Sequence, residues 1–256
     1  MNIDEIRAII IKEETEFPKR FTSFEERDYG ILFFNTDAPE SNDSNHAVLF
    51  PEKIADLPRV LYEIADFYTA KGLRAHFSIY HPFVENYFID NAEIFKECGY
   101  AITLYGDIRI MLLTEANEID VPYRLEIRHI TAWSDAIGQD ILAVNGGKEH
   151  FLEVNKNSMG EGNYLFIGYL RDEPVSLLSF CVTDKFTRFE EMATAEKHRG
   201  SGYAREMNRF AVNYVREHGF PLAYQWPAHD TSERITTQVG FRFAFPLPAG
   251  SAKLAK

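Results

Sequence analysis

Residues 196–204 read EKHRGSGYA. Gly200 and Gly202, separated by Ser201, stand directly before an amphipathic segment that opens at Tyr203, and Lys197, His198 and Arg199 lead into them. That order of residue types suits an anion. The first turn of a helix presents N–H groups with no partner inside the helix, together with the positive end of the macrodipole. Glycine lets a phosphate approach such a backbone because no Cβ stands in the way. The three basic residues also reverse the sign of charge locally in a chain whose net charge is -12. The string is neither G-x-x-x-x-G-K-[ST] nor G-x-G-x-x-G, so the two commonest phosphate loops are excluded. An Arg-x-x-Gly-x-Gly/Ala string arises by chance in about one chain in ten of this length, so its weight rests on the elements beside it.

Those elements are a strand and a helix. RFEEMATA (188–195) has strand character, and in 205–219 the apolar residues Met207, Phe210, Ala211, Tyr214 and Val215 recur at helical spacing up to a glycine stop at Gly219. A strand, a short helix, a second stop at Gly240-Phe241 and a last strand follow. The first half repeats this order: a helix within 51–72 with the stripe Ile54, Leu57, Leu61, Ile64, Ala65 and Tyr68, then LRAHFSIYHP, NAEIFKECGY and AITLYGDIRIMLL, with Gly72 and Gly99-Tyr100 as its stops. Strand hairpins precede both helices, NYLFIGYLRDEPVSLLSFCVT in one half and YGILFFN with NHAVLFP in the other. The reading is an internal duplication with its boundary in the polar connector near 115–123. Between Phe50 and Lys71 there is no glycine, so only the second half carries the glycine turn.

Composition narrows the classes. With 45% hydrophobic and 26% charged residues the chain has the material for a sizeable core and no compositional case for disorder. The acidic balance argues against general nucleic-acid binding; it either favours a cationic substrate, such as an amine, over a polyanion or only confers solubility. Cys98 and Cys181 lie far apart, without disulfide or metal spacing. No leader and no apolar run near 18 residues is found, which reads as a soluble, cytoplasmic chain without membrane association.

With the turn and its flanks in place, the sequence resembles the GNAT superfamily of N-acetyltransferases, whose pyrophosphate signature [Q/R]-x-x-G-x-[G/A] is matched by RGSGYA at Arg199, Gly202 and Ala204. The likeness covers about 123–250 and includes EEMATAEKHRG, the following helix and LAYQWPAHDTSERITTQVGFRF. It implies an α+β fold of two tandem GNAT-like domains, each a mixed, mostly antiparallel sheet flanked by helices: a degenerate domain over 1–120 without the phosphate loop, and a catalytic one over 121–256. It implies acetyl-CoA as cosubstrate and no metal. Backbone groups of Met192, Ala193 and Thr194 are then expected on the pantetheine arm, and the N–H groups of Arg199, Gly200, Ser201, Gly202, Tyr203 and Ala204 around the pyrophosphate.

In such enzymes the acceptor amine attacks the thioester directly. A protonated amine with a pKa near ~10 needs a base, and a thiolate with a pKa near ~8.5 benefits from an acid. Glu190 and Glu191 are the candidate bases; strand alternation sends them to opposite faces, and Glu190, on the side of Met192 and Thr194, is preferred, acting through water. The position of the family's usual tyrosine acid is Thr236, which cannot replace a phenol. Tyr224 is an alternative donor, and His229 occupies the place of a cofactor-touching asparagine. Loops 145–151, 155–163 and 79–88 are expected to shape the acceptor site. The acceptor is a small-molecule or peptide amine, and a monomer is preferred to a homodimer. Two rival readings stay open: a non-catalytic module that binds acetyl-CoA, and a nucleotide or phosphosugar site.

Overall fold

The computed structural model describes residues 1–80, 84–114, 120–157, 159–160 and 162–255. In chain order the elements are α1 (Ile3–Glu16), β1 (Ser23–Arg27), β2 (Gly30–Phe34), β3 (His46–Leu49), α2 (Leu57–Ala70), β4 (His76–Tyr80), α3 (Val84–Asp90), α4 (Ala92–Glu97), β5 (Tyr100–Leu113), β6 (Glu126–Ile130), α5 (Asp135–Asn145), α6 (His150–Asn157), β7 (Asn163–Leu170), β8 (Glu173–Val182), β9 (Thr187–Thr194), α7 (Tyr203–Glu217), β10 (Ala223–Gln225), α8 (Asp230–Gln238) and β11 (Phe241–Leu254). The run β3-α2-β4-α3/α4-β5 repeats as β9-α7-β10-α8-β11, and in both runs the two strands joined by the long helix pair in parallel.

The fold is mixed α+β with a mostly antiparallel sheet flanked by helices. One feature departs from the expectation of a separate sheet in each half: a single strand order, β1-β2-β3-β4-β11-β5-β10-β9-β8-β7-β6, joins all eleven strands. The chain divides into two compact units, Met1–Ile108 with Pro246–Lys256, and Arg109–Phe245. The last eleven residues, read above with the C-terminal half, thus belong to the first unit, because Ala249–Lys253 of β11 pair with His76–Tyr80 of β4.

In the first unit, α2 starts at a cap, Asp56 accepting from the Arg59 N–H at 3.1 Å, with a proline in its first turn, where a missing N–H costs nothing. Its stripe Leu57, Val60, Leu61, Ile64 and Tyr68 packs on Leu32, Ala47, Leu49 and Phe77, each fully buried side chain contributing about 1.5–3 kcal/mol. Two tyrosines place their polar ends on backbone, Tyr68 donating to Phe33 O at 2.8 Å and Tyr100 to Leu61 O at 2.9 Å. Helix α1, which hydrophobic spacing did not announce, is held at its start by a capping box of Asn2 and Glu5.

In the second unit the strands carry apolar residues on both faces. Phe166, Leu178, Phe180 and Phe189 pack with Met207, Ala211, Val212 and Val215 of α7. Leu165, Ile167 and Leu177 pack with Ile141 and Val144 of α5. The RDEP turn is a two-residue hairpin in which Arg171 and Asp172 both take positive φ, 52° and 65°. Because α7 and α5 occupy opposite faces of β7–β9, any side chain on β9 is directed to one helix or the other.

Candidate active site

Strands β9 and β10 pair at their beginnings and then part. The register is Ala223↔Thr187 and Tyr224↔Arg188, after which β10 ends at Gln225 while β9 continues from Phe189 to Thr194. Among the described residues, that length of β9 has no strand partner on its β10 side and keeps β8 on the other. Amide groups of successive strand residues alternate between the two edges. Ala193 turns toward β8, its carbonyl accepting from Ser176 Oγ at 2.6 Å, and the next odd position does the same, Ala195 N–H bonding Val175 O at 3.0 Å. Met192 and Thr194 therefore present their backbone groups to the gap. Of the three residues expected along an extended ligand, two face it.

The glutamates lie on a bulge. Leu178 pairs with Met192 but Phe180 with Phe189, so Glu190 and Glu191 together oppose the single residue Ser179. This corrects the alternation argument: Phe189 and Met192, three positions apart, both pack on the α7 side, so counting by twos from Met192 does not carry through to Glu190. Glu191 is placed by its contacts. Its Oε1 accepts from Asn145 Nδ2 at 2.9 Å and its Oε2 from Asn155 Nδ2 at 3.2 Å, which sets it on the α5–α6 side together with Ala193. Burial pushes its carboxyl above the ordinary carboxylate range, opposed by the amides of Asn155 and Asn145 and by the charge of Lys148. Glu190 is half-buried beside it.

Beyond Thr194, a short 3-10 turn, Glu196–His198, leads to the glycines. Gly200 has φ 79° and Gly202 φ 84°, a left-handed conformation that costs a residue with a Cβ about 1–2 kcal/mol. Gly202 is the N-cap of α7 and has no side chain to satisfy the first turn. Within the loop, Arg199 N–H bonds Glu196 O and Ser201 N–H bonds His198 O. These two of the six expected donors are turned inward. The N–H groups of Gly200, Gly202, Tyr203 and Ala204 have no backbone acceptor among the described residues.

The charge around this turn differs from the sequence reading. Lys197 Nζ and His198 Nε2 both contact Glu173 Oε1, at 2.5 and 2.9 Å, so both side chains are turned to the start of β8. Arg199 Nε reaches back to Thr194 O at 3.4 Å. Two guanidinium groups that sequence reasoning missed converge instead: a Cβ built on Gly202 would lie 3.5 Å from Arg124 Nη2 and 3.9 Å from Arg205 Nη2. Arg124 stacks over the Tyr203 ring at 4.6 Å and is anchored by Glu206, whose buried carboxylate accepts from Arg124 Nε at 2.9 Å and from the N–H groups of Arg124 and Leu125 at 2.6 and 2.8 Å. No local pattern links Arg124 to a turn so far downstream; only its fall just after the polar connector could have raised it.

The remaining candidates do not converge on the gap. Tyr224 is fully buried, edge-on to Phe186 at 5.7 Å, where β9 and β10 still pair. His229 caps α8: its Nδ1 accepts from the Ser232 N–H at 3.1 Å, which leaves the ring proton on Nε2. Thr236 is 1% exposed. Loop 145–151 ends α5 and begins α6; loop 155–163 includes Ser158 and Glu161, outside the described residues, as are His81–Phe83 of 79–88, a first-unit segment.

The site's polar atoms fit an elongated anionic ligand with amide groups. Asn208 Oδ1 on α7 and Gln225 Nε2 at the end of β10 are buried without a hydrogen-bond partner among the described residues, a costly state unless a ligand or water completes them. Among the described residues no three His, Cys, Asp or Glu side chains are grouped to hold a metal ion, and no helix is long and apolar enough to cross a membrane.

No protein-family model matches the sequence, and no curated protein matches it. Solved structures do. A GCN5-related N-acetyltransferase from Kribbella flavida superposes with a TM-score of 0.68 at 15% identity, over 98% of this chain and 96% of that one. A tandem GNAT protein from the clavulanic acid biosynthesis pathway gives 0.58 at 13%, over 89% and 80%. A GCN5-related N-acetyltransferase from Sphaerobacter thermophilus gives 0.58 at 10%, over 98% and 91%. Together with the parted strands and the glycine entrance to α7, these likenesses show that the chain has the fold of the GNAT superfamily of acetyltransferases.

Proposed function

We propose that the chain is an acetyl-CoA-dependent N-acetyltransferase with one cofactor site, in the second half, and an amine acceptor. The observation that carries this reading is the gap between β9 and β10, leading to a helix entrance whose two glycines have positive φ and where the Gly200, Gly202, Tyr203 and Ala204 N–H groups have no backbone acceptor among the described residues. Gly200, Gly202, Tyr203 and Ala204 N–H groups would hold the pyrophosphate, Arg124 and Arg205 would add positive charge, and the backbone of Met192 and Thr194 would take the amides of the pantetheine arm. When bound, acetyl-CoA supplies the activated acyl group.

The protein's own chemistry is proton transfer. Glu191 lies on the bulge, on the α5–α6 side, with both oxygens oriented by amides; it takes the proton of an incoming ammonium, directly or through water. Its raised pKa brings it closer to neutral pH, where a base is most effective. Glu191 is thus preferred to Glu190. The departing thiolate takes its proton from solvent, because Tyr224 and Thr236 are buried. The first half, 1–120, is read as a degenerate copy of the fold, and the chain as a cytoplasmic monomer acting on a small-molecule or peptide amine.

Thermal unfolding with coenzyme A, acetyl-CoA, ATP and inorganic phosphate tests the site, since a specific ligand raises the midpoint by mass action. Stabilisation by ATP alone would overturn it. Thiol release across an amine panel then tests turnover. The burial of Tyr224 and the threonine at 236 in place of a tyrosine favour one second reading, a non-catalytic acetyl-CoA-binding module, which stands if acetyl-CoA binds and thiol release stays at background.

A further inference from the structure

Resting on the transferase reading, we propose that Asn145 and Asn155 are positioning residues that hold the Glu191 carboxylate in the orientation from which it takes a proton. Each carboxylate oxygen accepts from a different asparagine, Oε1 from Asn145 at 2.9 Å and Oε2 from Asn155 at 3.2 Å. The plane of the group is therefore set from both sides, and rotation about its last torsion breaks both bonds. Its backbone is held as well, the Glu191 N–H donating to Ser179 Oγ at 3.3 Å.

The local fold brings the two amides together. Asn145 is the last residue of α5, and the chain then turns through Gly146 and Gly147, at φ 71° and 78°, so that α6 starts at His150 and returns Asn155 to the same carboxylate. Asn155 is 7% exposed. The choice of residue type has a chemical consequence. Arginine or lysine in these positions would orient Glu191 equally well but would hold its pKa low and repel an ammonium. Amides donate without charge, so they add nothing to the positive field of Lys148 and the carboxylate stays a usable base. Among the described residues, the groups around Glu191 include Asn145 from α5, Lys148 from the connecting loop, Asn155 from α6, Ser179 from β8 and Glu190 next to it in β9. The step balances simply: one proton leaves the acceptor nitrogen for Glu191, and the nitrogen keeps the electron pair of the broken N–H bond.

The experiment is a pH titration of glutamate side-chain carboxyl carbons by NMR in the full chain, with the Glu191 resonance identified by its loss in Glu191→Gln. Wild type is compared with Asn145→Ala and Asn155→Ala, and acetyl-CoA binding is followed by thermal shift. Each alanine removes a donor to the charged form, so the Glu191 midpoint rises by about one pH unit, the acidic limb of acetyl transfer rises with it, and acetyl-CoA binding is unchanged. Asn145 is partly exposed, so Asn145→Ala reads out even where Asn155→Ala fails to fold. A midpoint that stays put, or a limb that does not follow a shifted midpoint, overturns the positioning role. Failure of the transferase reading is distinct: wild-type acetyl-CoA binding without turnover, or Glu191→Gln with undiminished transfer.

Discussion

Replacing the cradle glycines by alanine separates a ligand-binding turn from an ordinary one. Gly200 at φ 79° and Gly202 at φ 84° each force an L-residue into the left-handed region, a cost of about 1–2 kcal/mol. Packing adds little: a Cβ on Gly200 meets nothing within 4 Å, and one on Gly202 stands at ordinary contact distance, 3.5 Å from Arg124 and 3.9 Å from Arg205. In a chain of this size 1 kcal/mol corresponds to about 2–4 °C, so each variant should melt about 2–8 °C lower. Gly72, at φ 69° and likewise with nothing within 4 Å, supplies a control of equal strain in the other unit. All three alanine variants should lose similar stability. Their binding of coenzyme A should differ, because a methyl group at either cradle position keeps the backbone from the phosphate. Losing one hydrogen bond to a charged oxygen costs about 1.5–3 kcal/mol, or about 10- to 150-fold in Kd. Calorimetric titration of coenzyme A into Gly200→Ala, Gly202→Ala and Gly72→Ala, at a temperature where all are folded, reads this out. If the two cradle variants bind no more weakly than Gly72→Ala, the anion reading of the turn is refuted.

Three further outcomes are expected. Glu206→Ala strips the acceptor from Arg124 Nε and from the Arg124 and Leu125 N–H groups, and should lower stability in urea titration by about 2–4 kcal/mol; a loss below about 1 kcal/mol would show that these bonds are replaced by water at no cost. Glu191 has a folded pKa raised by burial, so the native state binds its proton more tightly than the unfolded chain and the stability this group contributes falls as pH rises from the unfolded carboxylate value through the folded one. Glu191→Gln should remove that segment of the stability profile and lower acetyl transfer by about 10²–10⁴-fold with coenzyme A binding retained. His76 has the opposite sign: burial first, then the charges of His46, Lys253 and Arg74, bring it from 6.5 to about 4. The unfolded chain takes up its proton first, so stability is complete above pH 6.5 and about 3 kcal/mol of it is lost as pH falls toward 4. Urea midpoints at pH 7 and pH 4.5 should therefore differ less in His76→Gln than in wild type.

Several features were legible because their causes are local. The stripes of α2 and α7 follow from 3.6-residue periodicity, the RDEP hairpin from turn chemistry, and the opening of α7 at Tyr203 from the glycine before it. Helix α1 was missed because its apolar spacing is weak and its start rests on the Asn2–Glu5 capping box. The alternation argument for Glu190 fails because a bulge is a property of two strands: nothing in RFEEMATA says that Ser179 alone opposes two glutamates.

The charge at the cradle makes the same division in energetic form. By itself the sequence determined that a glycine turn with free helix amides stands after a strand, since φ preference and helix geometry act between neighbours in the chain. It also placed three basic side chains beside that turn, and there its authority ended. Where a charge is held depends on which groups lie within a few ångströms: Glu173 holds Lys197 and His198 at the start of β8, and Glu206, paired with Arg124, holds that guanidinium beside Gly202. Electrostatic interaction falls with distance in space rather than in sequence, so only the tertiary structure decided which cations face the turn and which carboxylate faces α5 and α6.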